Sequence, residues 1–452
     1  MNSGISDTLS AGTARAEITP TDDCFLGGFA GRTHRCEGIH DPLYATALAI
    51  SKAGKKIVFI AVDILALTNE QLDRLWRKAE KKFDLKPCSL FINCSHTHAG
   101  PEVRPSFNTA YHPPGEIGRP DQAYIDVLID KIIYTIEKAL ENLRSAKATW
   151  GLGQTNIGIN RRAADKSIYS QTATGYENFP NPDKKIDRTC PIIFLKDNND
   201  KPISLLFGAS CHPTTMRYDN YLISAEYPGV TRRILEQDLD GAPTLFLQGT
   251  AGDVKPISVA EGDGFRSGSF KDVEKVGEEL ANDVKGIMKN GLKPLNIRIA
   301  SALKRVTLPF NQEWSEETLH RYSRQGEAEY RRVWAEYWLK KLNHGEIFPR
   351  SVELTLSIVE LSADLRFLGI AGELLTDMGF KIQRQFKKGH TLTFGYTNGE
   401  IGYIPDAEVL REGGYEALET VFFSHDRPAP LSVESEENIL RGFKELMEEI
   451  KE

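Results

Sequence analysis

Three neighbouring segments alternate between strand and helix patterns and decide the fold class. They are KKIVFIAVDILAL (residues 55–67), NEQLDRLWRKAEKKF (69–83) and CSLFINCSH (88–96). The first and third are short apolar runs, which are typical of buried strands. The middle segment places its apolar residues at helical spacing. A strand, a helix and a second strand in succession predict an α/β fold.

The same alternation continues along the chain. Further strand-like runs lie at 190–197, 203–212 and 242–254, and further helical patterns lie at 121–143, 315–346 and 432–450. In the segment 315–346, Ser315 precedes two acidic residues and is a plausible helix cap. Its aromatic residues recur at helical spacing, which favours packing against the body over a substrate-binding stripe. We predict an α/β protein with mixed β-sheets flanked by helices.

Composition and charge exclude several classes of protein. The 452 residues are 40% hydrophobic and 26% charged, which is ordinary for a globular chain. The net charge of −7 and the lack of a dense basic block argue against a nucleic-acid partner. No apolar run reaches the roughly 18 residues of a membrane span. The N-terminus has no signal-peptide pattern, so we expect a cytoplasmic protein, or a secreted or periplasmic one if a leader was removed.

The six cysteines include no CxxC pair, so they predict no disulfide framework. Cys24 and Cys36 could pair in an oxidising compartment, although reduced thiols are the favoured interpretation. Cys94 and Cys211 lie close to histidines. Residues adjacent on a strand, such as Cys211 and His212, point to opposite faces, and we expect both cysteines to pack in the core.

The segment NCSHTHAGP (93–101) contains two histidines, His96 and His98, just after an apolar run. Alternate side chains of a strand share a face, so both imidazoles could converge on one point. This pattern alone leaves a metal site, a pair of general bases and a surface turn open.

Other polar residues also follow predicted strands. His212 ends the run 203–212, GTAGDVKP (249–256) ends another, and Glu373 follows RFLGI. In α/β sheets, ligands gather outside the ends of strands. Two or three histidines with a carboxylate are the ligands of a catalytic zinc site with an open position for water.

These segments, taken in order, resemble the neutral (non-lysosomal) ceramidase family from about residue 12 to 430. The family's GTHTHSGP is similar to SHTHAGP (95–101), its INRSP to residues 159–162, and its NAGDVSPN to residues 250–257. Its FAVHPTSM and LISSDNKG are similar to FGASCHPTTM and LISAEYPG, and its PGEF to AGEL (371–374). A family tyrosine pair twelve residues apart corresponds to Tyr403 and Tyr415.

The resemblance implies a role for each matching residue. The residues expected to hold a catalytic zinc are His96, His212, Glu373 and Tyr403. Those expected at the reacting carbonyl are His98, Arg161 and Tyr415, and those expected to bind substrate are Asp253, Arg162 and Glu400. Manganese or iron stays open, because imidazole with carboxylate and phenolate oxygen suits several metals.

Three positions depart from the family pattern. Lys255 stands where the family's GDVSPN has a serine. Three interpretations stay open: Lys255 turns outward, it binds an anionic or strongly polar substrate group, or it acts, when neutral, as base or nucleophile. Glu226 replaces the aspartate of SSDNKG and is a candidate general base. Glu400 replaces the first tyrosine of the family's NDYxGY.

The resemblance implies a zinc-dependent hydrolase that cleaves an N-acyl amide with metal-activated water, as in sphingolipid metabolism. Alternatives are the same metal site acting on a polar ester or carbohydrate-derived substrate, and a non-catalytic metal-binding scaffold. We expect one ceramidase-like domain over residues 1–452 without the family's C-terminal immunoglobulin-like domain. The expected partner is a small-molecule or lipid substrate, and the oligomeric state stays open.

Overall fold

A computed structural model describes residues 8–21, 23–105, 118–165 and 178–451. Its strands are β1 (Ser10–Glu17), β2 (Gly38–Ile39), β3 (Tyr44–Lys52), β4 (Lys55–Val62), β5 (Leu90–Cys94), β6 (Arg144–Gln154), β7 (Gly158–Asn160), β8 (Thr189–Asp197), β9 (Pro202–Ala209), β10 (Leu222–Ile223), β11 (Thr244–Gln248), β12 (Val254–Pro256), β13 (Ala260–Glu261), β14 (Gly264–Phe265), β15 (Lys293–Pro294), β16 (Ala300–Pro309), β17 (Ser351–Ser362), β18 (Leu365–Ile370), β19 (Glu373–Leu374), β20 (His390–Phe394) and β21 (Tyr403–Ile404). Its α-helices are α1 (Asn69–Phe83), α2 (Gln122–Glu141), α3 (Glu226–Asp238), α4 (Phe270–Lys289), α5 (Glu316–Tyr322), α6 (Glu329–Asn343), α7 (Thr376–Gln383), α8 (Ala407–Glu412) and α9 (Ser435–Glu449).

Two sheets pack face to face. The larger sheet has the order β11-β9-β8-β6-β1-β3-β4-β5, with β15 paired to β6, and the smaller has the order β16-β17-β18-β20. Phe59 and Phe91 of the larger sheet contact Phe367 of the smaller one, with ring centroids 5.6 and 6.2 Å apart. Both sheets contain parallel and antiparallel pairs. The predicted mixed sheets are therefore confirmed.

Helices cover the outer faces of both sheets. Alternate residues of β4 point to opposite sides, so Ile60 packs under α1 and α2 while Phe59 faces the second sheet. Helices α3 and α4 cover the β8–β9–β11 end of the same face. Helices α5, α6, α7 and α9 cover the outer face of the smaller sheet. The result is a four-layer α/β/β/α arrangement.

Local sequence signals explain most of these elements. Helix α1 begins after Thr68, whose hydroxyl accepts a hydrogen bond from Gln71 N (3.2 Å), and Gln71 Oε1 accepts one from Thr68 N (3.0 Å). This reciprocal capping satisfies backbone groups that the first turn leaves free. Its apolar stripe, which includes Leu72 and Leu75, is buried. The predicted helix at 69–83 is confirmed.

The prediction of one continuous helix over 315–346 was wrong. The segment forms two helices, α5 and α6, and Gly326 between them has a φ of +106°. Glycine adopts this left-handed region without the steric cost of a Cβ atom, so the chain can reverse there. Trp334 and Trp338 are buried in the core, which confirms the packing interpretation of the aromatic stripe.

The ends of several strands meet at one place. The two end strands of the larger sheet, β5 and β11, approach each other through Asn93, whose Nδ2 donates to Gln248 O (3.2 Å) and whose Oδ1 accepts from Gln248 N (2.8 Å). Asn93 Nδ2 also donates to Gly395 O, just after β20 (2.9 Å). The loops that follow β5, β9, β11, β18 and β20 are therefore neighbours.

Within the described residues, none of the helices combines the length and the apolar character that crossing a bilayer requires. The prediction of one domain over the whole chain stays a prediction. Residues 1–7, at the N-terminus that has no signal-peptide pattern, lie outside the described residues.

Candidate active site

His96 lies in the loop after β5, and the expectation that strand alternation aligns it with His98 was wrong. Strand β5 ends at Cys94, and His96 has a φ of +65°. A non-glycine residue in this region is uncommon and marks a constrained turn. The turn is held by two hydrogen bonds, from His96 N to Ile64 O (3.0 Å) and from His96 Nδ1 to Leu65 O (2.9 Å). Because Leu65 O can only accept, Nδ1 carries a proton, and Nε2 is the ring nitrogen that faces the site interior. Burial would lower the pKa of His96, but Glu373 and Glu400 outweigh burial and raise it to about 9.

His212 is held in the same way after β9. Its backbone N donates to Val254 O (3.0 Å), and its Nδ1 donates to Ala251 O (2.5 Å). The side chain is fully buried. A backbone carbonyl that fixes one ring nitrogen is the usual support of a metal-binding histidine. The Nε2 atom is again left facing the interior.

His98 completes a cluster of three imidazoles. The ligand-type nitrogens of His96, His98 and His212 all lie within 4.8 Å of one another. Both ring nitrogens of His98 are enclosed and have no hydrogen-bond partner. Burial lowers the pKa of His98 well below its usual value, and the neighbouring His96 and His212 lower it further. His98 is therefore neutral.

Glycine at position 28 allows the backbone to approach the His98 ring. A Cβ atom at Gly28 would lie 2.3 Å from His98 Nδ1, and Gly28 has a φ of +90°. Phe29 contacts the same ring, with centroids 4.6 Å apart. The segment around residue 28 was not predicted to belong to the site, and the adjacent glycines 27 and 28 were its only signal.

Glu373 lies between two of the histidines. Its Oε2 atom is 3.0 Å from His212 Nε2 and 3.3 Å from His96 Nε2. Burial would raise the pKa of this carboxyl, but the two imidazoles outweigh burial and hold it well below the usual value. The short strand β19 carries Glu373 and pairs in register with Tyr403 of β21. The predicted residues His96, His212 and Glu373 thus meet at one point.

Tyr403 and Tyr415 lie next to each other beside Arg161. Arg161 Nη2 donates to the Tyr403 hydroxyl (2.9 Å), and the Arg161 guanidinium lies 5.5 Å from the centroid of each tyrosine ring. The two rings are 5.7 Å apart. Burial raises the pKa of Tyr415 to about 12, and Arg161 opposes this rise. Tyr403 as a metal ligand stays a prediction.

A buried carboxylate, Glu416, fixes both arginines. Arg161 Nε donates to Glu416 Oε1 (2.9 Å), and Arg162 Nη1 donates to Glu416 Oε2 (2.7 Å). Arg162 Nη2 also donates to Glu412 Oε2 (3.1 Å). These pairs assign Arg162 to holding Arg161 in place, while its predicted contact with substrate stays untested. Glu416 directly follows Tyr415 in sequence and was missed.

Asp253 and Glu226 are both occupied by hydrogen bonds from nearby loops. Asp253 accepts from Thr376 N (2.9 Å), Thr376 Oγ1 (2.8 Å) and Asn160 Nδ2 (2.8 Å), which joins β7, β12 and α7. Glu226 accepts from the loop after His212 and from the start of α3, through Thr215 Oγ1 (2.9 Å), Met216 N (3.0 Å) and Tyr227 N (3.0 Å). This geometry favours a positioning role for both carboxylates over substrate binding or general base catalysis.

Glu400 is brought close to His96, as its placement near the site had suggested. Its Oε2 atom is 3.6 Å from His96 Nδ1, and its Oε1 accepts from Arg104 Nη1 (3.2 Å). Oε2 has no hydrogen-bond partner although it is enclosed.

Tyr396 was missed by the sequence analysis. Its ring lies 4.3 Å from that of His96, its hydroxyl is enclosed without a partner, and its φ is +53°. Its position directly after a strand-like run, in GYTNG, was the available signal.

Lys255 lies on β12 and is only 6% exposed. Its ammonium is 5.0 Å from the centroid of Phe265. An outward turn into solvent is excluded by this burial. Burial, together with the charges of Arg161 and Arg217, lowers the pKa of Lys255 to about 7.

The cysteines behave as expected for packing residues. Cys94 and Cys211 are both buried in apolar clusters. Cys24 and Cys36 are unpaired, with sulfur atoms 3.7 Å apart.

The fold and the site define an α/β protein with a buried histidine–carboxylate cluster at converging strand ends, which is compatible with a divalent metal. The chain belongs to the neutral/alkaline non-lysosomal ceramidase family, because the model of that family's N-terminal part matches residues 9–291. The predicted membership is confirmed. Glu373, Tyr403 and Tyr415 lie beyond the matched range, and their roles stay predictions.

Individual relatives agree with the family match. The chain is 23% identical over 277 residues to a neutral ceramidase of Pseudomonas aeruginosa, covering 59% of this chain and 40% of that protein. It is 27% identical over 260 residues to a neutral ceramidase of Oryza sativa (54% of this chain, 31% of that protein). It is 26% identical over 267 residues to one of Mycobacterium tuberculosis (55% and 40%). The chain thus matches well under half the length of these relatives.

The fold likeness extends further than the sequence likeness. The crystal structure of the Pseudomonas aeruginosa neutral ceramidase superposes with a TM-score of 0.74 at 17% identity, covering 97% of this chain and 74% of that chain. At this identity the likeness supports the fold.

Proposed function

We propose that this protein is a metal-dependent hydrolase that cleaves an N-acyl amide bond. The observation that carries the proposal is the position of Glu373 Oε2, 3.0 and 3.3 Å from the Nε2 atoms of His212 and His96. Two ligands about 2.0–2.1 Å from a tetrahedral zinc ion are themselves separated by about 3.3 Å. His96, His212 and Glu373 therefore fit a metal without a large rearrangement. Tyr403, in register with Glu373, is the proposed fourth ligand.

The donor set also suits a metal chemically. Both imidazoles donate Nδ1–H to a carbonyl, which leaves Nε2 as a metal-binding atom, and His96 Nε2 makes no hydrogen bond. Buried polar atoms rarely remain without a partner, so an enclosed nitrogen of this kind needs an explanation. We propose zinc. When bound, zinc would polarise a carbonyl and lower the pKa of a water molecule.

The surrounding residues supply the other parts of an amide hydrolysis. Neutral His98 can accept a proton from water and pass one to the leaving amine. The Tyr415 hydroxyl keeps its proton at ordinary pH and can donate it as a hydrogen bond to the carbonyl oxygen as negative charge develops. Arg161, held by Glu416, adds a fixed positive charge on the same side.

For the substrate, we propose ceramide or another N-acyl amine, because the relatives named above are neutral ceramidases. A second candidate is a polar ester or carbohydrate-derived substrate. It is favoured by the buried amine of Lys255 and by the carboxylate of Glu400 near the cluster.

The proposal is tested by measuring metal content and hydrolysis together. We expect purified protein to hold about one zinc per chain and to hydrolyse an N-acyl amine in detergent micelles. His96→Ala should lose both properties, because it removes a ligand from the centre. His320→Ala is the matched control, since His320 lies on the surface of α5 with a side chain 60% exposed. Stoichiometric zinc without turnover on amides, esters or glycosides would instead indicate a metal-binding scaffold.

A further inference from the structure

A buried amine without a carboxylate partner lies beside the proposed active site. Lys255 is on β12, directly opposite Ile159 of β7, and its side chain packs with the apolar cluster of Ile159, Val259 and Phe265. Among the described residues, none places a carboxylate oxygen within 4 Å of the Lys255 ammonium, and none accepts a hydrogen bond from it. Lys255 keeps 6% of its surface exposed, so the side chain is buried but not sealed from the surface.

A second cation contacts the backbone of the same phenylalanine. Arg217 Nη1 donates to the backbone oxygen of Phe265 (2.7 Å), and this guanidinium likewise has no carboxylate partner among the described residues. Arg217 is close enough to Lys255 for its charge to oppose protonation of the amine. Both cations therefore lie around Phe265, one at its backbone and one at its ring.

The nearby carboxylate does not neutralise this pair. Glu226 is the acid whose charge acts on Lys255, but its two oxygens already accept hydrogen bonds from Thr215, Met216 and Tyr227. An unpaired buried charge is costly, and proteins seldom keep one without a partner or a use. A bound anion would supply the missing partner and would accept hydrogen bonds from both cations.

The position of the two cations connects them to the reacting group. Strand β7 carries Ile159 opposite Lys255 and leads directly into Arg161, which contacts Tyr403 and Tyr415. The segment that carries Arg161 therefore also pairs with Lys255, and the charge of Arg161 acts on the Lys255 amine.

We propose that Lys255 and Arg217 bind an oxyanionic group of the substrate, such as a carboxylate or phosphate, with Phe265 lining the site. This inference deepens the proposed function and rests on it: the preferred N-acyl amine carries a negative charge. The serine at the corresponding position of the family pattern would not provide that charge recognition.

The experiment compares two substrates that share one acyl chain, an N-acyl glycine and the matching N-acyl ethanolamine. The kcat/KM for the N-acyl glycine should be about tenfold to a hundredfold higher, because this is the ratio that one hydrogen bond between charged groups provides. Lys255→Met keeps the length and apolar contacts of the side chain and should abolish the preference, and Arg217→Gln should reduce it. Lys275→Met, an exposed lysine on α4, should leave the preference unchanged.

A binding measurement separates this inference from the proposed hydrolysis. Calorimetry on metal-free protein should detect N-acyl glycine and inorganic phosphate, with both signals lost in Lys255→Met. Binding of N-acyl glycine alone would assign the subsite to carboxylates. Equal kcat/KM values for the two substrates, with hydrolysis still lost in His96→Ala, would overturn the anion subsite and leave the hydrolase proposal standing. Lys255-dependent binding without any hydrolysis would support the anion subsite and overturn the hydrolase proposal.

Discussion

The burial of Lys255 predicts that the stability of the wild-type protein depends on pH in a way that Lys255→Met removes. In the folded protein the pKa of this amine lies at about 7, while its usual value is 10.5. Between these pH values the unfolded chain binds the proton and the folded chain does not. Stability therefore rises with pH through this range on account of Lys255, and below pH 7 the full cost of the buried charge is present. Methionine removes this dependence.

The magnitude can be worked from the shift. Each pKa unit corresponds to about 1.4 kcal/mol, so the whole shift corresponds to about 5 kcal/mol. From pH 6.5 to 9.5, the free energy of unfolding of the wild-type protein should rise by about 3 kcal/mol relative to that of Lys255→Met. The variant should accordingly be the more stable protein at the acidic end, and its advantage should shrink as the pH rises.

Urea unfolding of the two proteins at a series of pH values measures this difference. Groups that titrate equally in both proteins cancel, so the difference isolates Lys255. Lys275→Met serves as control and should track the wild-type protein at every pH, because its side chain is exposed. The buffer must lack phosphate, since an anion bound at Lys255 would raise the pKa. A difference that stays constant from pH 6.5 to 9.5 would refute the buried-amine argument.

Three further substitutions test separate parts of the structure. Trp334→Ala should lower the free energy of unfolding by about 3–5 kcal/mol in urea titrations, because it empties a fully buried site under the smaller sheet. Gly28→Ala should reduce kcat of the proposed hydrolysis, since its Cβ would displace His98, whereas Gly291→Ala, in open space at a similar φ, should leave kcat unchanged. Glu416→Gln should cost about 3–5 kcal/mol of stability, measured by urea unfolding, because it removes the carboxylate that two buried arginines share. A smaller cost than about 1 kcal/mol would show that those arginines find other partners.

Local periodicity was enough to predict the helices and strands that have their own sequence signals. Helix α1 occupies the predicted residues because Thr68 and Gln71 cap it and its apolar residues share one face. The break at Gly326 was not anticipated, since the flanking residues continue a helical pattern across it. A single glycine is tolerated in many helices, so its effect depends on packing that a sequence pattern does not contain.

The site was predicted in part, and the missing part depends on long-range contacts. His96, His98, His212 and Glu373 were identified, but the argument from strand alternation did not describe how His96 and His98 converge. Their convergence requires the left-handed turn at His96.

The missed residues, among them Tyr396 and Glu416, are distant in sequence from the atoms they contact. Tyr396 meets His96 across 300 positions of chain, and Glu416 meets Arg161 across 255. Neither residue belongs to a spacing pattern that would single it out.

Backbone strain gives a physical reason for the location of the site. His96, Glu226 and Tyr396 all have positive φ values without being glycine, and each follows the end of a strand or begins a helix near the histidine cluster. Each such residue costs on the order of 1–3 kcal/mol and persists only where the surroundings hold it. Here the backbone of Tyr396 accepts a hydrogen bond from Cys94 N and donates one to Gly372 O (3.0 and 2.9 Å), while His96 N is fixed by Ile64. The backbone hydrogen bonds at His96 and Tyr396 link the loops of both sheets, so the strain is supported by the packing of the two sheets. A rigid frame of this kind would place the proposed ligand atoms before a metal arrives, which would reduce the ordering that metal binding must otherwise impose.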